Sequence, residues 1–549
     1  MDFIKLILIS LIAITSYYLL LQWGPSENLT QSVITNETIP NKTNIESERL
    51  LSPLQAPETP APLSPIVATN NQSIVQFFYV QNNVVNLRIS GDSGAIKSSL
   101  LKKIKKDLQG ADPLELFSAV DEKPYYVNSG FFSDEGNFLQ PNFTSIAQEL
   151  GENGKDVFTL IGGDDTLYIE RTFTLEPGKY SVEIEDTILS RLPTSPVSVT
   201  PYVIIERGDF PVEGDGFAYA YLGPVFSTQG ERFQKISFSD LLDEPFKKSS
   251  PGGWVALIQH YFLSAWIPEQ SGSFLYQAKK NSSSNRFSVG YTSKQLSLAQ
   301  NNNGVSFTNT LYVGPKLTGQ LKALHQDLDL VVDYGFLWWL GKPIYWLLNV
   351  GFDFFNNWGF AIIFLTMVLK VVLWPLSAAA YRSMGKMRTL GPKLQALQSQ
   401  FGDDKKKMGQ AMMDLYKKEG VNPLGGCLPM LAQMPFFLAF YWVLVETVEL
   451  RHSPFIFWIT DLSAKDPFFV LPILNAAGMY YSQKLTPTPP NADPMQAQMM
   501  KYFPLIFALI FAWFPAGLVL YWLVNMLVTL FQQWWYYRKE GGSVFSSET

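Results

Sequence analysis

Cysteine and histidine are almost missing from this sequence. One cysteine, Cys427, stands among 549 residues, which excludes a disulfide framework and a cysteine-rich metal site. The three histidines, His260, His325 and His452, are far apart and none lies in an apolar run. That scatter argues against His-based catalysis and against a His-ligated metal, so neither a metal nor a cofactor is expected. Charge is scarce as well: 16% of residues are Asp, Glu, Lys or Arg, against about 25% in soluble domains. The formal net charge of -6 argues against a general nucleic-acid binder. No P-loop and no paired nucleophile and base occur, so no enzymatic activity is expected.

What the chain has instead is apolar and aromatic surface, with 47% hydrophobic and 14% aromatic residues over a length that implies more than one unit. Residues 3–23 (FIKLILISLIAITSYYLLLQW) form an apolar run of spanning length with no A-x-A-like site after it. Residues 1–23 therefore read as an uncleaved transmembrane anchor rather than a signal peptide. Lys5 stands at the start of this run and the next basic residue is Lys42, which places the N-terminus in the cytoplasm. Residues 24–72, with PLQAPETPAPLSP at their centre, hold too little apolar surface to offset their ordering entropy and read as a disordered tether.

From 73 to 333 the pattern changes to short strands. SIVQFFYVQNNVVNLRIS and DTLYIERTFTLEPGKYSVEIEDT mix alternating and continuous apolar runs, and turn signals such as Glu176-Pro177-Gly178 punctuate them. One large antiparallel β-sandwich on the far side of the membrane from the N-terminus is expected. Residues 334–356 are dense in Trp, Tyr and Leu but interrupted by Gly341-Lys342-Pro343, which suits an amphipathic helix lying in the membrane interface.

The next segment, 357–378, contains WGFAIIFLTMVLKVVLWPL, read as one continuous helix, the second span. It carries Lys370 inside the apolar run, where a charge costs about 2.5–3.5 kcal/mol on insertion scales. Thr366, Lys370 and Ser377 fall within roughly 40° of one another on such a helix, giving a polar stripe that contains a cation. Residues 379–422 are basic: Arg382, Lys386, Arg388, Lys393, Lys405, Lys406, Lys407, Lys417 and Lys418 outnumber Asp403, Asp404, Asp414 and Glu419. This reads as a cytoplasmic two-helix hairpin broken near Phe401-Gly402-Asp403-Asp404. Attraction to the membrane surface explains its charge, as does docking of a ribosome, a targeting factor or an emerging chain. Residues 423–537 hold four more apolar segments, near Leu424–Val445, Phe468–Gln483, Tyr502–Phe514 and Leu518–Tyr536, and 538–549 form a short cytoplasmic tail. Six spans result, with both termini in the cytoplasm.

Polar residues recur inside these segments: Gln433, Asn475, and on the last segment Trp522, Asn525, Thr529 and Gln532, which fall within about 80° of one another. Two polar stripes on different helices point to a shared cavity, although interhelical hydrogen bonding that glues the bundle explains any single Asn or Gln. A cavity of this kind suits a solute or ion transporter, but no inverted repeat and no charged intramembrane partner for Lys370 accompany it.

Three long blocks are more specific: NPLGGCLPMLAQMPFFLAFYW at 422–442, DPFFVLPILNAAGMYY at 466–481 and WFPAGLVLYWLVN at 513–525. With GGWVALIQHYF at 252–262 and DLDLVVDYGFLWW at 327–339, they make the chain resemble the YidC/Oxa membrane protein insertase family in its Gram-negative form. The resemblance implies a polytopic α-helical inner-membrane protein with a five-helix insertase core and a large periplasmic β-supersandwich. It implies an insertase and chaperone, acting on nascent inner-membrane proteins alone or with the Sec translocon. The hairpin is linked in the family with activity, and contacts with ribosome, signal-recognition machinery and membrane lipids are expected. The helices would enclose a hydrophilic groove, closed toward the periplasm, for which Lys370, Thr366, Ser377, Gln433, Asn475, Trp522, Asn525 and Thr529 are the candidate lining residues. The groove cation of the family is usually arginine. Lysine keeps the charge but lacks the planar fork for bidentate carboxylate pairing.

Overall fold

The computed structural model describes residues 76–119, 123–151, 154–165, 167–191, 197–210, 221–281, 284–298, 304–401, 404–420, 428–485 and 494–539, all within one compact unit, Ser52–Thr549. The anchor and tether expected at 1–72, Cys427 and the tail beyond Lys539 lie outside the described residues.

Two antiparallel sheets form the β-domain. The first runs in the order β1 (Phe77–Gln81), β2 (Val85–Ser90), β3 (Ile96–Lys105), β5 (Tyr125–Ser133), β10 (Val197–Gly208), β17 (Arg286–Thr292), β16 (Ser273–Asn281) and β13 (Phe246–Pro251), with β4 (Pro113–Phe117) on β3 and β18 (Leu296–Leu298) on β10. The second runs β12 (Glu231–Lys235), β11 (Gly223–Thr228), β14 (Trp254–Ile258), β15 (Phe262–Pro268), β19 (Val305–Pro315), β9 (Ser181–Ser190), β8 (Leu167–Leu175), β7 (Asp156–Gly163) and β6 (Ser145–Leu150). The alternation read from the sequence is seen directly on β8, where Leu167, Ile169, Phe173 and Leu175 point inward between half-buried neighbours. Arg171 belongs to the same inward series and faces Asp186 of β9 across the ladder. β14 and β15 are buried along their whole length, which explains their continuous apolar runs. Gly178 takes a left-handed φ of 78° in the turn between β8 and β9, where a side chain would be strained.

Short helices α1 (Asp240–Asp243) and α2 (Thr318–Leu324) belong to the β-domain and its exit. The helical part then begins with α3 (Trp338–Phe355), whose Trp338, Trp339, Trp346 and Phe354 are exposed while Leu340, Ile344 and Leu348 are buried. Asn356 ends α3 in the left-handed conformation (φ 50°), and Asn357 caps the next helix by accepting from Phe360 N at 3.2 Å. This two-residue link folds α3 back on α4 (Trp358–Val372), and Gly351 allows the close approach: a Cβ there would lie 3.0 Å from Ala361 Cα.

One expectation fails at this point. The stretch 358–376 is not a single straight helix. α4 stops at Val372, α5 (Trp374–Thr389) starts after Leu373, and the axes of Trp358–Val372 and Trp374–Met387 meet at 61°. Pro375 is the cause: it offers no N–H to the carbonyl of Val371, and its ring clashes with a continuing helix there. Pro375 is at ease in the first turn of a new helix.

The hairpin follows as α6 (Gly391–Phe401) and α7 (Lys405–Lys418), with Asp404 capping α7 through Lys406 N and Lys407 N. Leu390 and Leu394 are buried against Met387, Met412, Leu415 and Tyr416, which forms the apolar seam. Four helices complete the chain: α8 (Leu428–Glu446), α9 (Val470–Leu485), α10 (Pro494–Phe511) and α11 (Ala516–Lys539). Among the described residues one helix is by itself long and apolar enough to cross a bilayer, Ala516–Tyr536, and the bent pair α4–α5 passes when counted as one broken span. Shorter apolar helices cover Leu431–Glu446 and Tyr502–Phe511.

Candidate functional site

The two polar stripes meet. Lys370, in the last turn of α4, is 6% exposed, and its Nζ donates to Thr529 Oγ1 of α11 at 2.7 Å. Its side chain therefore reaches sideways across the bundle rather than along its own helix toward the surface. Thr529 donates onward to the carbonyl of Asn525 at 2.8 Å. Gln433 of α8 donates to Asn525 Oδ1 and lies 3.4 Å from Tyr521 OH. Lys370, Thr529, Asn525, Gln433 and Tyr521 thus form a continuous polar chain across α4, α11 and α8. Among the described residues Lys370 forms no ion pair, so the cation is satisfied by a neutral hydroxyl alone.

The other expected residues fall around this chain in different ways. Thr366 is buried and returns its hydroxyl to Ile362 O at 2.7 Å, so it is bonded within α4. Ser377 is buried beyond the bend, in α5, where its N–H bonds Leu373 O at 3.1 Å. Asn475, on α9, approaches α11 at the carbonyl of Val519 (3.5 Å), and its buried Oδ1 has no partner among the described residues. Ten positions separate Val519 from Thr529, about 15 Å along the helix, so Asn475 does not join the Lys370 chain. Trp522 packs in an aromatic cluster with Phe437, Phe507 and Phe511, and its buried Nε1 is likewise without a partner among the described residues. Gln532 lies one helical turn beyond Thr529 and meets Tyr381 OH of α5 at 3.4 Å.

Two polar residues here lie outside the expected set, Tyr521 in the chain and Tyr381 beside Gln532. Spacing could have found both. Tyr521 precedes Asn525 by four residues and Tyr381 follows Ser377 by four, so each continues a polar stripe on its own helix face.

The surface of the bundle is apolar around this buried chain. Ile473 and Leu474 on α9, Tyr502, Leu505, Ile506 and Leu509 on α10, and Leu527 and Phe531 on α11 are exposed. Chemically the arrangement offers one buried cation and several amide and hydroxyl groups next to an apolar exterior, which can receive a polar segment attached to an apolar helix.

Two family models match, the YidC periplasmic domain over residues 78–347 and the 60Kd inner membrane protein over residues 350–542. Among similar proteins, the membrane protein insertase YidC of Pseudomonas fluorescens (strain SBW25) is 41% identical, with 98% of this chain and 98% of that protein covered. The protein of the same name from Azotobacter vinelandii is 39% identical, covering 98% of this chain and 99% of the relative. A solved structure described as an active YidC insertase with the first transmembrane domain resolved aligns over 83% of this chain and 91% of that chain, at 19% identity and a TM-score of 0.39.

Proposed function

Because the chain belongs to the YidC family of membrane protein insertases, we propose that the Lys370–Thr529–Asn525–Gln433 chain is where the polar part of an incoming protein is received. The protein is a membrane insertase of the inner membrane with a periplasmic β-domain, not an enzyme. The observation that carries the site reading is the bond from Lys370 Nζ to Thr529 Oγ1 at 2.7 Å. A buried cation with no counter-charge among the described residues is poised for an anion or a carbonyl oxygen. A hydroxyl is a partner that an incoming carboxylate displaces at little cost, because the charged pair is the stronger one.

In this reading a short polar segment enters from the cytoplasmic side and exchanges Thr529 for its own acceptor groups at Lys370. Its apolar helix meanwhile leaves along the exposed faces of α9 and α10, and burial in lipid offsets the uphill polar transfer. No nucleotide is required. α4–α5, α8, α9, α10 and α11 serve as five spans, the N-terminal anchor as a sixth, with both termini cytoplasmic. Thr366 and Ser377 flank the cation, Trp522 closes the chain with an aromatic wall, and Asn475 offers a second polar point farther along α11. The hairpin α6–α7 serves as a cytoplasmic platform for ribosome or targeting factor, and Sec components and lipids are further partners.

The test is insertion of a small single-spanning protein into liposomes containing only this chain. Lys370→Glu is expected to lower insertion of acid-tailed substrates at least tenfold, and Lys370→Arg to preserve it. Wild-type insertion by Lys370→Glu would falsify the charge-attraction step.

A further inference from the structure

The β-domain and the bundle are tied by more than the polypeptide between them. Lys316, one residue past β19, donates to Glu446 Oε2, the last residue of α8, at 2.7 Å, with side chains 1% and 3% exposed. Beside this pair, His260 Nε2–H donates to the carbonyl of Val445 at 2.9 Å. On the following loop, the Arg451 guanidinium donates to the carbonyls of Lys105 (2.9 Å) and Lys106 (2.8 Å) at the end of β3.

For its own helix, Glu446 is badly placed. A carboxylate in the last turn faces the negative end of the helix dipole, and α8 has no basic residue there to compensate. Burial adds a desolvation penalty that only a well-aligned counter-ion offsets. Lys316 answers both needs, and it comes from the other domain. A helix that ends in a buried acid which another domain must neutralise has one favourable docking and many unfavourable ones. An apolar contact of the same volume would hold the domains as firmly but would tolerate sliding and rotation.

The same helix carries Gln433, thirteen residues before Glu446. At about 100° per residue the two side chains stand roughly 140° apart, on well-separated sides of α8. One side is held by the β-domain, and the other reaches Asn525 of α11. We infer that Lys316 and Glu446 are positioning residues for insertion: their ion pair fixes the rotation and depth of α8, and so sets Gln433 against Asn525 in the receiving chain. The periplasmic domain would then govern the geometry of the groove without touching the substrate. This inference rests on the groove reading above, and its test separates the two.

Full-length protein in liposomes is compared as wild type, Lys316→Met, Glu446→Gln, the swap Lys316→Glu/Glu446→Lys and the apolar pair Lys316→Met/Glu446→Met. One readout is insertion of a single-spanning test protein. The other adds Gln433→Cys/Asn525→Cys in a Cys427→Ser background and follows bridging by a short bis-thiosulfonate, which reports the approach of α8 to α11. The single variants are expected to lose at least fivefold in both readouts, and the swap to recover to within twofold of wild type. The apolar pair should melt at the wild-type temperature yet remain low in both. An apolar pair that bridges and inserts like wild type overturns the inference, since the contact is then only a tie. Single variants that lose insertion while bridging normally also overturn it. Should the singles fail to fold, the apolar pair decides, and should that fail too, a swap that folds without restoring bridging overturns it. A failure of the groove reading has a different signature: Lys370 variants that insert normally, whatever the bridging shows.

Discussion

Arg171 and Lys370 are both buried cations, one in the core of the β-domain and one in the helical bundle. Arg171 meets Asp186 through two bonds, Nε to Oδ1 at 2.6 Å and Nη2 to Oδ2 at 3.1 Å. Two further N–H groups reach the carbonyls of Gly94 (3.0 Å), in the turn between β2 and β3, and Ser129 (2.8 Å) of β5 in the first sheet. That charge is neutralised and aligned, with four of its five N–H groups bonded, and it staples the two sheets together. Among the described residues Lys370 has one partner, a neutral hydroxyl. The difference separates a charge kept for structure from a charge held in readiness: the first is paired with a carboxylate and two carbonyls, the second, among the described residues, with one replaceable hydroxyl.

The largest effect that can break this comparison is in the β-domain. Arg171→Met leaves Asp186 buried and unpaired, and the protein in detergent should lose about 3–5 kcal/mol in denaturant unfolding. Lys370→Met should do the reverse, leaving thermal stability unchanged or raised while insertion of acid-tailed substrates falls at least tenfold. If both variants destabilised equally, the two cations would be of one kind. Thr529→Val sharpens the point on a smaller scale, since it removes one hydrogen bond worth about 0.5–1.5 kcal/mol. Insertion should fall only a few-fold, because the substrate replaces that partner in any case.

The smallest effect concerns pH at the junction of the two regions. Burial pushes the His260 imidazole down from its ordinary 6.5 to about 4, so it remains a neutral donor to Val445. Between those values the unfolded chain takes up a proton that the folded chain refuses, and stability falls as pH drops from about 6.5 toward 4. His260→Gln keeps a donor and should flatten this part of the profile, measured as the difference between melting temperatures at pH 7 and pH 5.

The β-domain was readable from the sequence because strand periodicity records which side chains face inward, as on β8. The meeting of Lys370 with Thr529 was foreshadowed by the two polar stripes. Three things were hidden. The bend at Leu373 depends on one proline inside a run that reads as uniformly apolar. Asn475 shows its polarity but not its neighbour, since a spacing fixes a helix face without saying which helix lies opposite. The Lys316–Glu446 pair joins residues 130 positions apart in different domains, a separation that no local pattern encodes.

The unequal lengths of the helices have a consequence for the lipid itself. α11, with 24 residues, is about 36 Å long, whereas α4, with 15, reaches only about 22 Å before the bend. The apolar part of α11, Ala516–Tyr536, is about 32 Å long and fits a hydrocarbon layer of about 30 Å, whereas in the proposed arrangement α4 crosses that layer only together with the bent α5. In that arrangement the hydrophobic mismatch falls on the α4 side, at the bend beside Lys370. Bilayers of longer-chain lipids should therefore deform most there, which makes the thickness of the host membrane a variable that the length of one short helix converts into local shape.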